Sequence, residues 1–120
     1  MILVDTSVWI DHLRATEPQL VELLTANRVL MHPFVIGELA CGTIQNRQEI
    51  LWLFENLPRA QVADYQETLV FIERHALMGC GIGYTDVHLL AATALEGAVR
   101  LWTRDRQLAR AAESLDLLHT

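Results

Sequence analysis

The sequence predicts an α/β fold, a three-layer α/β/α arrangement in which helices cover both faces of a mainly parallel central sheet. Three short apolar runs have the length and composition of buried strands: ILV at 2–4, VLM at 29–31 and VRLW at 99–102. Segments with helical spacing separate these runs. Right-handed crossovers through such helices would make the strands parallel.

Two helices are predicted between the first two strands. The first covers 7–13, because its apolar residues share one side. The second begins after an N-cap at Thr16, has Pro18 in its first turn and continues to about residue 26. This segment therefore forms a helical crossover rather than a hairpin.

The middle of the chain contains three more predicted helices. The first covers 33–42, starts at a proline and carries Glu38. The second covers about 45–56 and has a broad apolar face. The third covers 64–77 and opens with an acidic capping box.

The C-terminal part begins with an irregular glycine-rich segment, MGCGIG at 78–83. Thr85 is then expected to cap a helix that runs over about 86–95. After the third strand, a final helix over 104–112 and an edge strand at 116–118 complete the predicted fold.

Composition indicates one domain over residues 1–120, because the chain has no repeat, low-complexity tract or flexible linker. The hydrophobic fraction of 52% is high for this size, so part of it is expected to cover a protein interface. No apolar stretch is long enough to span a bilayer. The two cysteines form no metal-type pair and no signal peptide is recognisable, which together favour a reduced, cytoplasmic protein.

Charge is unevenly distributed along the chain. The net charge of -6 argues against indiscriminate binding to nucleic acid. All nine basic residues are arginines, and several lie close together near the C-terminus. Because a guanidinium matches phosphate oxygens, Arg104, Arg106 and Arg110 are candidate phosphate-binding residues. A solvated helix face accounts for the same cluster equally well.

Four acidic residues occupy comparable places in the predicted fold. Asp5 and Asp105 follow apolar strands, Asp86 opens a long helix and Glu38 lies on another helix. Ligands of parallel sheets bind beyond the carboxyl ends of the strands, so all four carboxylates are expected to meet at that edge. Taken alone, Asp5 and Asp105 are better explained as helix caps, and Asp86 could simply oppose its helix dipole. Glu38 differs, because a charge inside the apolar helical run VIGELA is costly unless it is paired or bound to metal.

A cluster of carboxylates needs a cation to offset its mutual repulsion. Oxygen ligands without a Cys or His cluster favour Mg²⁺ or Mn²⁺ over zinc. Such a metal activates water and neutralises phosphate, which fits phosphodiester hydrolysis. Ser7 and Thr103 could hydrogen-bond a carboxylate or a phosphate, whereas His88 is expected to turn away from Asp86 to the surface or behind the ligands.

Four motifs, in order, resemble the PIN-domain family and within it the VapC-type toxins of bacterial toxin–antitoxin pairs. They are DTSVWID at 5–11, GELACG at 37–42, TDVHLLAATAL at 85–95 and LWTRDRQL at 101–108. The resemblance implies a metal-dependent endoribonuclease whose Mg²⁺ or Mn²⁺ is bound by Asp5, Glu38, Asp86 and Asp105. It assigns supporting polar roles to Ser7 and Thr103.

The resemblance also implies a homodimer and a small antitoxin protein that covers the active site. The helix around Glu38 and the helix over 45–57 are the predicted antitoxin groove, because Trp52 and Phe54 make the latter too apolar for a free surface.

Two other functions are compatible with the same sequence. A phosphatase or phospho-acceptor domain would use Asp5 as a nucleophile, but the chain has no Lys to neutralise an acyl phosphate. A non-catalytic PIN-like module would bind RNA or protein without needing Mg²⁺.

Overall fold

The computed structural model describes residues 1–120 and contains three strands and seven helices. The strands are β1 (Ile2–Val4), β2 (Val29–Leu30) and β3 (Arg100–Trp102). The helices are α1 (Thr6–Arg14), α2 (Pro18–Thr25), α3 (Pro33–Ala40), α4 (Arg47–Glu55), α5 (Tyr65–Arg74), α6 (Tyr84–Glu96) and α7 (Arg106–Ser114). The predicted α/β fold is confirmed.

The three strands form one parallel sheet in the order β2-β1-β3. Leu3 at the centre pairs with Leu30 on one side and Leu101 on the other. The chain moves from β1 to β2 in one direction and then returns past β1 to reach β3. Because crossovers between parallel strands are right-handed, this reversal puts helices on opposite faces and opens a crevice beyond the carboxyl ends of β1 and β3.

Apolar burial holds the layers together. A single cluster of 26 buried residues includes all three strands, with Leu3 and Leu101 fully inaccessible to solvent. Helix α1 packs against α3, α3 against α4, and α6 against both α5 and β3. None of the helices has the length and hydropathy needed to span a membrane.

Several helix starts differ from the sequence prediction. Glu17, not Thr16, caps α2, because its carboxylate accepts the Gln19 N–H. Helix α6 begins at Tyr84 after an N-cap at Gly83, so Thr85 lies inside the helix. The last helix begins at Arg106 instead of Arg104, which leaves 103–105 as a loop.

The predicted edge strand at 116–118 is reduced to one parallel bridge between Leu118 and Leu101. The Leu101 N–H donates to the Leu117 carbonyl and the His119 N–H donates to the Leu101 carbonyl. Asp116 has a φ of 58°, a left-handed conformation that interrupts extended pairing just before this segment. The C-terminal segment therefore covers the outer edge of β3 without forming a regular strand.

Candidate functional site

Asp5 lies at the carboxyl end of the central strand, where β1 ends and α1 begins. The residue is 5% exposed, and its backbone N–H donates to the Trp102 carbonyl of the neighbouring strand β3. One carboxylate oxygen, Oδ2, accepts hydrogen bonds from the hydroxyls of Ser7 at 2.7 Å and Thr103 at 2.8 Å. These two donors stabilise a buried carboxylate that would otherwise be costly to desolvate.

Both hydroxyls also accept hydrogen bonds from the loop that follows β3. The Arg104 N–H donates to Ser7 Oγ and the Asp105 N–H donates to Thr103 Oγ1, each at 3.0 Å. This pattern fixes the hydroxyl hydrogens toward Asp5. The supporting polar residues predicted from sequence therefore do contact a predicted site carboxylate.

Asp105 is the N-cap of α7, and its Oδ1 accepts the Leu108 N–H at 2.9 Å. Asp86 occupies the third position of α6 and accepts the Gly83 N–H at 3.3 Å. Both acids, like Asp5 at the N-cap of α1, lie at helix N-termini, where free N–H groups and the helix dipole favour negative charge.

The pKa of Asp86 is raised above its ordinary value. Burial is the largest cause, and the negative charges of Asp5, Asp105 and Glu38 add to it. The Gly83 N–H acts in the opposite direction. The charges of the other three acids all act on Asp86, so the fold brings each of them within electrostatic reach of this carboxylate.

Glu38 reaches the same edge from α3. Its Oε1 accepts a hydrogen bond from the Thr6 hydroxyl at 2.6 Å, a contact that sequence analysis missed. The side chain is exposed, whereas its neighbours Ile36 and Leu39 are buried. The expected cost of a charge within the apolar run VIGELA is therefore avoided, because Glu38 lies on the outer side of the helix.

The four carboxylates share one arrangement. In each, a single oxygen accepts hydrogen bonds from the protein: Oδ2 of Asp5, Oε1 of Glu38, Oδ2 of Asp86 and Oδ1 of Asp105. The second oxygen of each group has no protein donor, which orients the carboxylate while keeping one lone-pair-bearing atom available.

This donor set fits a hard divalent cation, since its available atoms are carboxylate oxygens. No three Asp, Glu, His or Cys side chains are arranged to hold a metal ion by themselves. Mg²⁺ commonly binds one or two carboxylates and retains several waters, so a partly hydrated ion does not need three protein ligands.

The three candidate phosphate-binding arginines differ in their surroundings. Arg104 binds Asp11 at 2.7 Å and Glu17 at 2.6 Å, so its charge is already paired. Arg106 and Arg110 are exposed one turn apart on α7 and form no ion pair. Arg106 and Arg110 are therefore free to bind a phosphate, whereas Arg104 is not.

A groove of about 690 Å³ adjoins the acidic site. Helices α1, α3 and α4 and the connection between the last two form its walls, and Glu38 lies on one side. The apolar lining comprises Ile10, Leu13, Leu39, Ile44 and Ile50. Of the aromatic residues predicted to face a partner here, Trp52 is 64% exposed, but Phe54 is buried and packs on Trp9.

His88 turns away from Asp86 as predicted, but it is buried at 4% exposure rather than at the surface. Its ring packs edge-on against Phe34 and Tyr84, each with centroids 4.6 Å away. The histidine thus supports the packing of α6 against α3, the two helices that carry Asp86 and Glu38.

The fold and the acidic site define a class of protein. A family model of the PIN domain matches residues 2–114, so the chain belongs to the PIN-domain family. Two curated relatives are each named Ribonuclease VapC32, from Mycobacterium tuberculosis strains CDC 1551 / Oshkosh and ATCC 25618 / H37Rv. Each is 50% identical over 115 residues, which cover 95% of this chain and 93% of the relative. The resemblance to VapC-type proteins is confirmed.

His32 gives a pH-dependent contribution to stability at the start of α3. Its Nδ1 accepts the Phe34 N–H at 3.0 Å and the residue is fully buried, while its Nε2 has no partner. Burial, with a smaller effect of nearby His88, lowers the pKa of His32 to about 4. Between that pKa and about 6.5, His32 binds a proton more readily in the unfolded chain than in the folded one. The free energy of unfolding therefore falls as pH decreases through this range.

We expect His32→Asn, which keeps a capping acceptor but cannot titrate, to remove this dependence. From about pH 7.5 to about pH 4.5, the wild type should lose roughly 2.5 kcal/mol relative to the variant. Urea unfolding of both proteins across this range measures the difference. A constant difference in unfolding free energy would contradict the assignment.

Proposed function

We propose that this protein is an endoribonuclease that acts as the toxin of a toxin–antitoxin pair. The observation that carries the proposal is the set of four carboxylates at the edge of the sheet, each with one oxygen bonded to the protein and the other without a protein donor. The chain in which they occur is 50% identical to proteins named as ribonucleases over 95% of its length.

The proposed cofactor is Mg²⁺ or Mn²⁺. Asp5, Asp86 and Asp105 would hold it, and Glu38 would bind the metal or a water attached to it. When bound, such a cation supplies an activated water and neutralises charge on the phosphate that is attacked. The raised pKa of Asp86 supports this assignment, because a nearby cation would relieve the burial and repulsion that disfavour its charge.

Other residues of the chain would orient the acids and bind the RNA. Ser7 and Thr103 hold Asp5 through Oδ2, so that its free oxygen keeps a fixed direction. Thr6 does the same for Glu38. Arg106 and Arg110 would bind phosphates that flank the scissile bond, since both are exposed and unpaired. The net charge of -6 then restricts RNA binding to this local region.

Replacing Asp5 with Asn is the first test of this function. We expect the rate of RNA cleavage to fall at least about 100-fold, because the neutral amide would weaken cation binding and phosphate neutralisation. Cleavage of a synthetic single-stranded RNA should also stop when EDTA removes the metal and return when Mg²⁺ is restored.

Asp116→Asn is the matched control, because the Asp116 side chain is 99% exposed and lies outside the site. Full cleavage by Asp5→Asn, or by the wild type in EDTA, would refute the proposal. Tight RNA binding that is indifferent to Mg²⁺, without any cleavage, would favour the non-catalytic module instead.

The proposed antitoxin occupies the groove beside Glu38. An amphipathic helix could place its apolar face against Leu13, Leu39 and Ile44 and would then lie next to the acidic site. Inhibition would follow from simple obstruction. Fewer residues of α4 are available to the antitoxin than the sequence predicted, because Phe54 belongs to the core.

Charge introduced into this groove should weaken antitoxin binding. We expect Leu13→Glu to raise the Kd for the purified cognate antitoxin at least about tenfold, because it buries a carboxylate against apolar groups. Leu95→Glu near the end of α6 is a matched control outside the groove, since Leu13 and Leu95 are 37% and 44% exposed. Isothermal titration calorimetry measures both. Unchanged affinity in Leu13→Glu would place the antitoxin elsewhere.

Three further assignments belong to the same proposal. The chain would act as a single PIN domain over residues 1–120, as a homodimer, and in the cytoplasm. The unpartnered apolar surface of α5, where Val70 is 55% exposed, offers area for a second copy.

A further inference from the structure

The loop over 103–105 supplies three separate groups to the acidic site. The Thr103 hydroxyl donates to Asp5, the Arg104 N–H donates to Ser7, and Asp105 is itself one of the four acids. Any displacement of this short loop would therefore disturb Asp5, its hydroxyl donor and Asp105 together.

Arg104 anchors the loop through its side chain. One guanidinium nitrogen donates to Asp11 on α1 and the other donates to Glu17, the N-cap of α2, at 2.7 and 2.6 Å. The guanidinium carbon also lies 5.8 Å from the centroid of the Trp102 ring, within the range of a cation–π contact. Three different elements thus fix one side chain.

The same contacts leave Arg104 poorly suited to bind phosphate. Its two terminal nitrogens are already engaged by carboxylates, so a phosphate would have to displace one of them. Hydrogen bonds to Asp11 and Glu17 raise the pKa of Arg104, and the bond from Arg104 lowers the pKa of Glu17. The raised pKa of Arg104 and the lowered pKa of Glu17 both agree with an ion pair between these two side chains.

We propose that Arg104 is a positioning residue: by binding Asp11 and Glu17, it fixes the 103–105 loop against α1 and holds Ser7, Thr103 and Asp105 in place around Asp5. The inference rests on the proposed nuclease function of this site. Partly exposed ion pairs add little to global stability, whereas displacements of about 1 Å strongly affect catalysis. The consequence of losing Arg104 therefore lies mainly in the catalytic rate.

A double variant separates positioning from phosphate binding. Asp11→Ala/Glu17→Gln leaves Arg104 in place but frees its guanidinium, and the new amide side chain on the N-cap keeps an acceptor for capping α2. Positioning predicts that kcat for a synthetic RNA falls at least about tenfold while KM changes less than about twofold. A phosphate-binding Arg104 predicts unchanged kcat and an equal or lower KM, which would overturn the inference.

Changes at Arg104 itself complete the kinetic test. Arg104→Gln should reproduce the low kcat of the double variant, and Arg104→Lys should be intermediate, because an ammonium lacks the planar fork that spans two carboxylates. Arg28→Gln controls for the loss of one positive charge, since Arg28 is exposed directly before β2, at the opposite end of the sheet from the acids. A raised KM with normal kcat in Arg104→Gln would contradict positioning.

Amide hydrogen exchange tests the anchor without relying on activity. The Arg104 N–H donates to Ser7, so its exchange should accelerate at least about tenfold in Asp11→Ala/Glu17→Gln while the β1 amides keep their protection. Unchanged exchange at Arg104, or equal acceleration throughout the chain, would overturn the inference. If wild-type protein cleaves no RNA, the proposed function fails, but this measurement still decides whether Arg104 anchors the loop.

Discussion

The burial of Asp86 beside three other carboxylates is the constraint that the rest of this site must satisfy. Parallel strands end at the same edge of the sheet, so residues that follow β1 and β3 necessarily meet there. Asp86 and Glu38 add two more charges from α6 and α3. The raised pKa of Asp86 reports the combined cost of burial and of the neighbouring charges. A bound divalent cation would remove most of that repulsion.

The fold offsets part of the cost before any cation binds. Asp5 and Asp105 cap α1 and α7, and Asp86 lies in the first turn of α6, so three carboxylates meet the positive ends of helices. Glu38 lacks that advantage and is instead exposed and bonded to Thr6. One oxygen of each acid is used for this stabilisation, which is also what fixes the direction of the other.

Local sequence signals predicted the four acids and the two hydroxyls that bind Asp5, but not the side-chain contacts that anchor the 103–105 loop. Asp5 and Asp105 were identifiable because each follows a short apolar strand, and the strand order then brings them together. The partners of Arg104 were not identifiable, since Asp11 and Glu17 lie 93 and 87 residues away and no local period links them. Likewise, Thr85 looked like an N-cap, but Gly83 takes that position because the Asp86 carboxylate accepts its N–H. Phe54 is buried because it packs on Trp9 of α1, a contact between helices that the local sequence does not show.

Anomalous scattering from Mn²⁺ in crystals is the most direct test of whether these four carboxylates bind a divalent cation. We expect a manganese peak at the edge of the sheet, held by Asp5, Asp86 and Asp105 directly or through waters, and we expect this peak to be lost in crystals of Asp5→Asn. No peak there at a millimolar concentration of Mn²⁺, or an ordered ion only elsewhere on the molecule, would contradict it.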